Sequence, residues 1–136
     1  MEEALRATLL GTAALAARVG RRVDWGIRSS ADLPAVRLFE ISGLPQMNLA
    51  GPSGWSRSRV QIEAWGRTYK DARDLADIIG GNGSRGVTGV LTGMRAEIDG
   101  VRLRTFILGR RADDDTDTVG VLHRTALDVL VWHAAA

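Results

Sequence analysis

The chain has 136 residues, of which 45% are hydrophobic and 25% are charged, an ordinary composition for a soluble globular protein. This length predicts a single domain over residues 1–136 with one hydrophobic core. The absence of cysteine excludes disulfides, thiol nucleophiles and thiolate metal sites, and no segment approaches the roughly 20 apolar residues of a membrane-spanning helix.

The charge of the chain is close to balanced. A formal net charge of +2 is too small to make nucleic acid the default partner, although nearly all of the 18 basic residues are arginine. A GC-rich coding sequence explains such a bias. Use at interfaces explains it too, because a guanidinium pairs with carboxylates and is desolvated more easily than an ammonium group. Glu2 and Glu3 stand where a secretory signal would be positive, so we expect synthesis in the cytoplasm.

The first half of the chain begins with a helical pattern. Apolar residues recur at helical spacing in residues 2–18 and predict a first helix that stops at Gly20. A β-rich run follows at 36–42. The glycine- and proline-rich stretch 43–54 then has the composition of a long loop, and loops of that length are commonly functional or disordered.

A strand and a second helix follow this loop. Residues 58–65 alternate between apolar and polar side chains and predict a strand with one buried face. Thr68 and Asp71 form a weak capping box at the start of the helix, which ends at Gly80 and Gly81. Its narrow apolar stripe is typical of a helix that packs on a sheet.

The second half of the chain is predicted to consist mainly of strands. The stretch 81–93, rich in glycine, predicts a flexible connection, and Asp99-Gly100 predicts the type I′ turn of a hairpin. A polar turn at 110–118 and an alternating strand at 121–133 complete the chain. The predicted fold class is therefore α+β: an antiparallel sheet of about four to five strands with two helices packed on one face.

One glycine motif suggests a nucleotide site. Residues 81–86 match the pattern G-x-G-x-x-G, letter for letter. That pattern holds a pyrophosphate where it leaves a strand and opens a helix, whereas here it follows a helix and precedes no helical pattern. We interpret it as a flexible turn, and no cofactor is predicted.

An acidic run suggests a calcium loop. Asp113, Asp115 and Asp117 have the spacing of the first ligands of an EF-hand, but the sixth and twelfth positions hold Thr118 and Arg124 in place of Gly and Glu. We interpret the run as a solvated turn whose charges could seat an arginine-rich patch of a neighbouring subunit.

The remaining candidate residues do not form a catalytic constellation. His123 and His133 lie on one predicted strand, roughly 33 Å apart at about 3.3 Å per residue, which is too far to share a metal ion. Ser53 lacks the surroundings of a nucleophile elbow. No catalytic residue and no metal ligand is predicted, and we expect that the protein is not an enzyme.

One tryptophan stands out as an interface candidate. Trp55 lies at the end of the glycine-rich stretch, among glycine, serine and arginine, and fits a core less well than the other tryptophans. Tryptophan and arginine are the residues most often found as interface anchors. The candidate interface residues are Trp55, Arg57, Arg59, Asp113 and Asp115.

Short phrases along the chain carry a family resemblance. The order of a helix, Pro-x-Val-x-Leu at 34–38, Ile-Ser-Gly at 41–43 and Asn-Leu-Ala-Gly-Pro-Ser-Gly at 48–54 resembles the phage tail-completion family. The sequel does so too, with Arg-Ser-Arg-Val-Gln-Ile-Glu-Ala-Trp-Gly at 57–66 and Thr-Tyr-Lys-Asp-Ala at 68–72. These are the small tail terminator and head–tail joining proteins of long-tailed phages, and similar proteins occur in phage-derived gene transfer agents.

The resemblance implies a structural neck protein of a phage or phage-like particle. Such a protein forms a ring, commonly a hexamer, that caps the tail tube and joins it to the head connector. The implied partners are further copies of the chain, the tail tube protein and the connector or stopper protein, with DNA passing through the ring without specific binding. The implied location is the neck of the particle, after synthesis in the bacterial cytoplasm.

Two alternatives stay open beside this reading. One is another neck component, an adaptor or stopper of the same particle. The other is a different class, a small enzyme or a small nucleic-acid-binding module. An enzyme would need a pocket with converging titratable groups, and a nucleic-acid binder would show steep salt dependence. The predicted strands also offer edges that could pair with a neighbouring subunit.

Overall fold

The computed structural model describes residues 1–28, 32–48, 51–83, 86–116 and 120–135. The elements in these ranges are α1 (Glu2–Leu10), α2 (Ala13–Val19), β1 (Val23–Trp25), β2 (Ala35–Asn48), β3 (Gly51–Gly66), α3 (Tyr69–Gly80), β4 (Arg95–Ile98), β5 (Val101–Thr116) and β6 (Val121–Ala135). The strands form one sheet in the order β1-β2-β3-β6-β5-β4, in which only β1 and β2 pair in parallel. The predicted α+β class is confirmed, with six strands and three helices in place of four to five and two.

The predicted first helix is in fact two helices. Thr12 separates α1 from α2 with an extended backbone, and the preceding Gly11 closes α1 by donating its amide to the carbonyl of Ala7. Glycine lowers helix stability by about 1 kcal/mol relative to alanine, which favours a break at this point. The break allows both Leu9 of α1 and Leu15 of α2 to reach the core, where each is fully buried.

The prediction of a long loop at 43–54 is wrong. The described part of this stretch belongs to β2 and β3, which pair antiparallel as far as Asn48 and Gly51. β2 tolerates proline at position 45 because its outer edge has no strand neighbour there, so the missing N–H removes no hydrogen bond between strands. Residues 49–50, between the two strands, lie outside the described ranges.

Helix α3 begins and ends where the sequence predicts. The hydroxyl of Thr68 accepts a hydrogen bond from the amide of Asp71 at 3.1 Å, which satisfies one of the open N–H groups of the first turn. The helix ends at Gly80, and its apolar stripe is buried: Ala72, Leu75, Ala76 and Ile79.

The segment that was expected to be a flexible connection is bonded to the end of α3. The amides of Val90 and Leu91 donate to the carbonyls of Ile78 and Ile79, and Leu91 is fully buried. The hydroxyl of Thr105 donates to the carbonyl of Leu91 at 2.8 Å. The described part of 81–93 therefore closes the core, which corrects the prediction made from its glycine content.

The hairpin prediction is confirmed and the acidic turn is not. Asp99 and Gly100 have φ angles of 49° and 78° and join β4 to β5. The prediction of a turn at 110–118 is wrong for the described residues, because β5 continues to Thr116 and remains paired with β6 over this length. Residues 117–119 lie outside the described ranges.

The three helices and one face of the sheet enclose the core. Alternation along β3 and β6 directs Ile62, Leu127 and Val129 into a cluster that also holds Leu5 of α1 and Leu75 of α3. The alternate side chains of the same strands point to the second face of the sheet, which is rich in arginine and tryptophan. None of the described helices is long and apolar enough to cross a bilayer.

Gly89→Ala should destabilise the fold, because an added Cβ would stand 2.1 Å from the Gly81 nitrogen and 2.5 Å from the Gly80 carbonyl carbon. Backbone atoms cannot swing aside, so we expect a loss of about 3 kcal/mol in the free energy of unfolding. Gly109→Ala is the matched control, since its added Cβ meets nothing within 4 Å. Urea unfolding measures both variants, and equal stabilities would contradict the close packing of this segment.

Candidate assembly interface

The second face of the sheet carries stacked arginine and tryptophan side chains. The guanidinium carbons of Arg102 and Arg104 lie 4.8 Å and 5.2 Å from the ring centroid of Trp55, and that of Arg57 lies 5.7 Å from the ring of Trp132. These are cation–π distances. The sheet register brings the five residues together, because Trp132 pairs with Arg57 on one side and with Arg104 on the other. We call them the arginine–tryptophan cluster.

The arginine–tryptophan cluster presents positive charge to solvent. Arg57 and Arg104 are exposed, and neither forms an ion pair with a carboxylate in the described ranges. Arg59 differs, because it pairs with Asp128 at 2.8 Å. The guanidinium groups of Arg57 and Arg104 therefore remain open to an outside partner.

A fully buried carboxylate lies further along β3 on the same face. Arg37 Nη1 is 2.9 Å from Glu63 Oε1, and Arg124 Nη1 contacts Glu63 Oε2. The side-chain amide of Gln61 donates to the same carboxylate at 3.4 Å. An ion taken out of water is costly unless its charge is paired, and here two cations pair it. The contacts tie β2, β3 and β6 together.

Arg124 also holds the acidic end of β5. Its Nε lies 2.7 Å from Asp113 Oδ1, and its Nη2 contacts Asp113 Oδ2. The hydrogen bonds from Arg124 lower the pKa of Asp113, with a smaller contribution from the charge of Arg111 and with desolvation acting in the opposite direction. Asp113 is thus paired within the subunit while its side chain stays 40% exposed, and Asp115 is exposed as well.

The five predicted interface residues fall into two groups. Trp55, Arg57 and Arg59 lie on β3 towards the β2–β3 hairpin, whereas Asp113 and Asp115 lie at the far end of β5. The register places these groups at opposite ends of the sheet, so the structure does not bring them together within one chain. A contact between the basic and the acidic group would need two chains.

The structure also places two open strand edges that were foreseen only in general terms. β1 covers residues 36–38 of β2, and β4 covers residues 101–104 of β5. Residues 39–48 of β2 and 105–116 of β5 therefore have one strand neighbour each within the described chain. Half of the exposed large apolar side chains in the described ranges lie on these two edges: Ile41, Leu44, Phe106 and Leu108.

His133 belongs to a small polar group on the helix side of the sheet. Its Nε2 lies 3.0 Å from the hydroxyl of Ser58, which donates to Glu40 at 3.3 Å. Burial lowers the pKa of His133, the charge of the chain amino terminus adds to this, and Glu40 opposes it. Ser58 is buried, and Glu40 reaches the serine instead of orienting the imidazole, so the group lacks the order of a catalytic triad.

The other predicted motifs gain no chemistry from the structure. His123 and His133 lie near opposite ends of β6, as predicted. The glycine pattern at 81–86 follows α3, with 84–85 outside the described ranges. Within those ranges, no three histidine, aspartate or glutamate side chains are grouped so that they could hold a metal ion.

Comparison with known proteins gives the fold first and then the family. A chain of the virion of a native gene transfer agent particle shares this fold, with a TM-score of 0.63, 15% sequence identity, and coverage of 99% of this chain and 95% of that chain. The family described as "Tail completion protein gp17" matches residues 3–134, and the chain belongs to that family. No curated protein matches it. The resemblance to tail completion proteins is confirmed, and the family is one of structural virion tail proteins.

Glu63→Gln should lower the free energy of unfolding by about 3 kcal/mol, because it leaves Arg37 and Arg124 facing a neutral group at a buried position. Asp128→Asn is the control, since it breaks the exposed pair with Arg59 and should cost at most about 1 kcal/mol. Guanidinium unfolding at neutral pH measures both. Equally small losses would show that the buried carboxylate does not anchor the sheet.

The lowered pKa of His133 predicts the direction of a pH effect. The folded state disfavours the protonated imidazole, so the stabilising contribution of His133 is complete above its ordinary pKa of 6.5 and is lost as the pH falls below that value. His133→Gln should therefore flatten the fall in melting temperature between about pH 7 and pH 5.5. His123→Gln is the matched control. Parallel pH profiles for His133→Gln and the parent chain would refute the effect.

Proposed function

We propose that this chain forms a ring that caps the end of a tail tube and joins it to the head connector of a phage or phage-like particle. Membership of the tail completion family over residues 3–134 supports this proposal, and so does the fold shared with a chain of a gene transfer agent virion. A hexamer is the ring size that we propose from the family resemblance.

The observation that carries the ring is the pair of open edges on opposite sides of one sheet. The β2 edge and the β5 edge differ in sequence, so a contact between them is head-to-tail. Head-to-tail contacts produce rings when the rotation from one copy to the next closes. Each copy then binds one neighbour through its β2 edge and the other neighbour through its β5 edge.

The candidate residues supply further contact surfaces in this proposal. Trp55 and Arg57 anchor the contact with the tail tube or the connector, because exposed guanidinium groups stacked on indoles combine charge with apolar area. Arg59 contributes through the guanidinium donors that its pair with Asp128 leaves unused. Both carboxylate oxygens of Asp113 bind Arg124, so Asp113 contributes the exposed surface of that pair, and Asp115 is exposed two residues further along β5.

DNA passes through the proposed ring without specific binding. Single-stranded nucleic acid is held by bases that stack on open aromatic faces. The ring of Trp55 already carries Arg102 and Arg104, and that of Trp132 carries Arg57. The arginines thus cover one side of each indole, and the net charge of +2 gives the chain little general attraction for DNA, which supports the structural role.

The proposal treats residues 1–136 as one tail-terminator-like domain without enzymatic activity. The core cluster draws on residues from Ala4 in α1 to Val131 in β6, which supports a single unit. We propose that the chain is made in the bacterial cytoplasm and is incorporated into the neck of the particle.

Deletion of this chain in a producing strain tests the function. A growing tube presents the same face after each added ring, so the tube should continue without a stop. Electron microscopy should show filled heads without tails, together with tails of irregular or excessive length. Trp55→Ala should produce a milder form of the defect, since the loss of an anchor costs about 2 kcal/mol or more.

The control for Trp55→Ala is Tyr69→Ala, which removes an exposed aromatic ring on α3, away from the arginine–tryptophan cluster. Normal tails joined to normal heads in the deletion strain would exclude the terminator role. Tails of correct length that fail to join would favour the adaptor or stopper instead.

A further inference from the structure

The two open edges carry β-bulges at nearly the same height in the sheet. Ile41 is the extra residue of β2, opposite the boundary between Val60 and its neighbour Arg59. Leu108 is the extra residue of β5, opposite the boundary between Val129 and the preceding Asp128. Val60 pairs with Val129, so the two bulges differ in height by about one residue, or about 3.3 Å.

Both bulges expose apolar side chains. Ile41 is 46% exposed and Leu108 is 52% exposed, and each has a further exposed apolar neighbour on its strand, Leu44 at 59% and Phe106 at 47%. A protein normally protects a free edge with charged residues, proline or very short strands. Apolar residues on long open strands instead indicate an edge that another chain covers.

The direction of the strands is compatible with a continuous sheet. The pairs β2–β3, β3–β6 and β6–β5 are all antiparallel, so β5 runs opposite to β2. In a ring whose axis follows the strands, a rotation preserves both direction and height. The β2 edge of one copy then meets the β5 edge of the next in antiparallel orientation, with the two bulges about one residue apart in height.

We propose that Ile41 and Leu44 of one copy pack against Leu108 and Phe106 of the next, with β2 and β5 joined edge to edge. The occupant of each open edge is thus a second copy of this chain. This inference rests on the proposed ring and names the contact that closes it.

Cysteine cross-linking tests the contact, since the chain has no cysteine of its own. A chain carrying both Ile41→Cys and Leu108→Cys should oxidise to a ladder of covalent multimers that ends at the size of the ring. The single variants, Ile41→Cys and Leu108→Cys, should stay monomeric on denaturing gels. A mixture of the two single variants should stop at the covalent dimer, because each chain then has one reactive edge.

The matched control pairs Tyr69→Cys with Leu108→Cys, because Tyr69 is 55% exposed at the start of α3, where its ring contacts His123 of the central strand β6. Efficient cross-linking of this control, or of either single variant with itself, would overturn the contact. Rings that assemble by native mass but do not cross-link from 41 to 108 would also overturn it while leaving the proposed function intact. A parent chain that stays monomeric even with the tube protein would overturn the ring itself.

Leu108→Asp gives an independent readout. It should weaken association by about 30-fold or more, the loss typical of an interface anchor, while circular dichroism stays unchanged because the side chain is exposed in the subunit. Tyr69→Asp should associate like the parent, because Tyr69 is exposed in the first turn of α3, where an acidic side chain is tolerated. Equal association of the two variants in sedimentation velocity would contradict an apolar contact at this edge.

Discussion

The pairing of β3 with β6 is the constraint on which the rest of the molecule depends. It runs from Trp55↔Ala134 to Gly66↔His123 and joins residues that lie 57 to 79 positions apart in the sequence. One face of this pair receives the helices and becomes the core. The other face receives Glu63, whose charge is paired by Arg37 from β2 and by Arg124 from β6. Because β3 and β6 occupy the centre of the sheet, β2 and β5 lie outside them. The parts of β2 and β5 that β1 and β4 do not cover form the open edges of the sheet.

Local chemistry made much of the fold predictable. The alternation at 58–65, the cap formed by Thr68 and Asp71, and the Asp99-Gly100 turn each act within a few residues, and the structure contains all three. The errors share one cause, which is pairing between distant segments. Glycine and proline in 43–54 lower strand propensity, but pairing along β3 outweighs this, and the open outer edge tolerates the proline.

Pairing between distant segments also determines the acidic end of β5. For the same reason, the candidate site could be predicted only in part. Aspartates are depleted in strands, yet Asp113 stands opposite Arg124, which binds it with two hydrogen bonds. The composition singled out tryptophan and arginine on β3 as candidates, and the structure places Trp55 and Arg57 in the arginine–tryptophan cluster. Their stacking partners, Arg102 and Arg104, come from β5 and are brought there by the sheet register alone. No spacing along the sequence contains that information.

The preference for arginine over lysine has a structural use beyond codon bias. Arg124 binds two carboxylates at once, those of Glu63 and Asp113, which requires a planar fork with several donors. Arg102 and Arg104 lie over the ring of Trp55, and a flat, weakly hydrated cation suits that position better than an ammonium group. A coding bias towards arginine would raise the number of arginines, but it would not place Arg57, Arg104 and Arg124 on one face of the sheet. On that face, the weak hydration of the guanidinium group allows arginine to pair with a buried carboxylate. The same weak hydration lowers the cost of burying this surface against another chain.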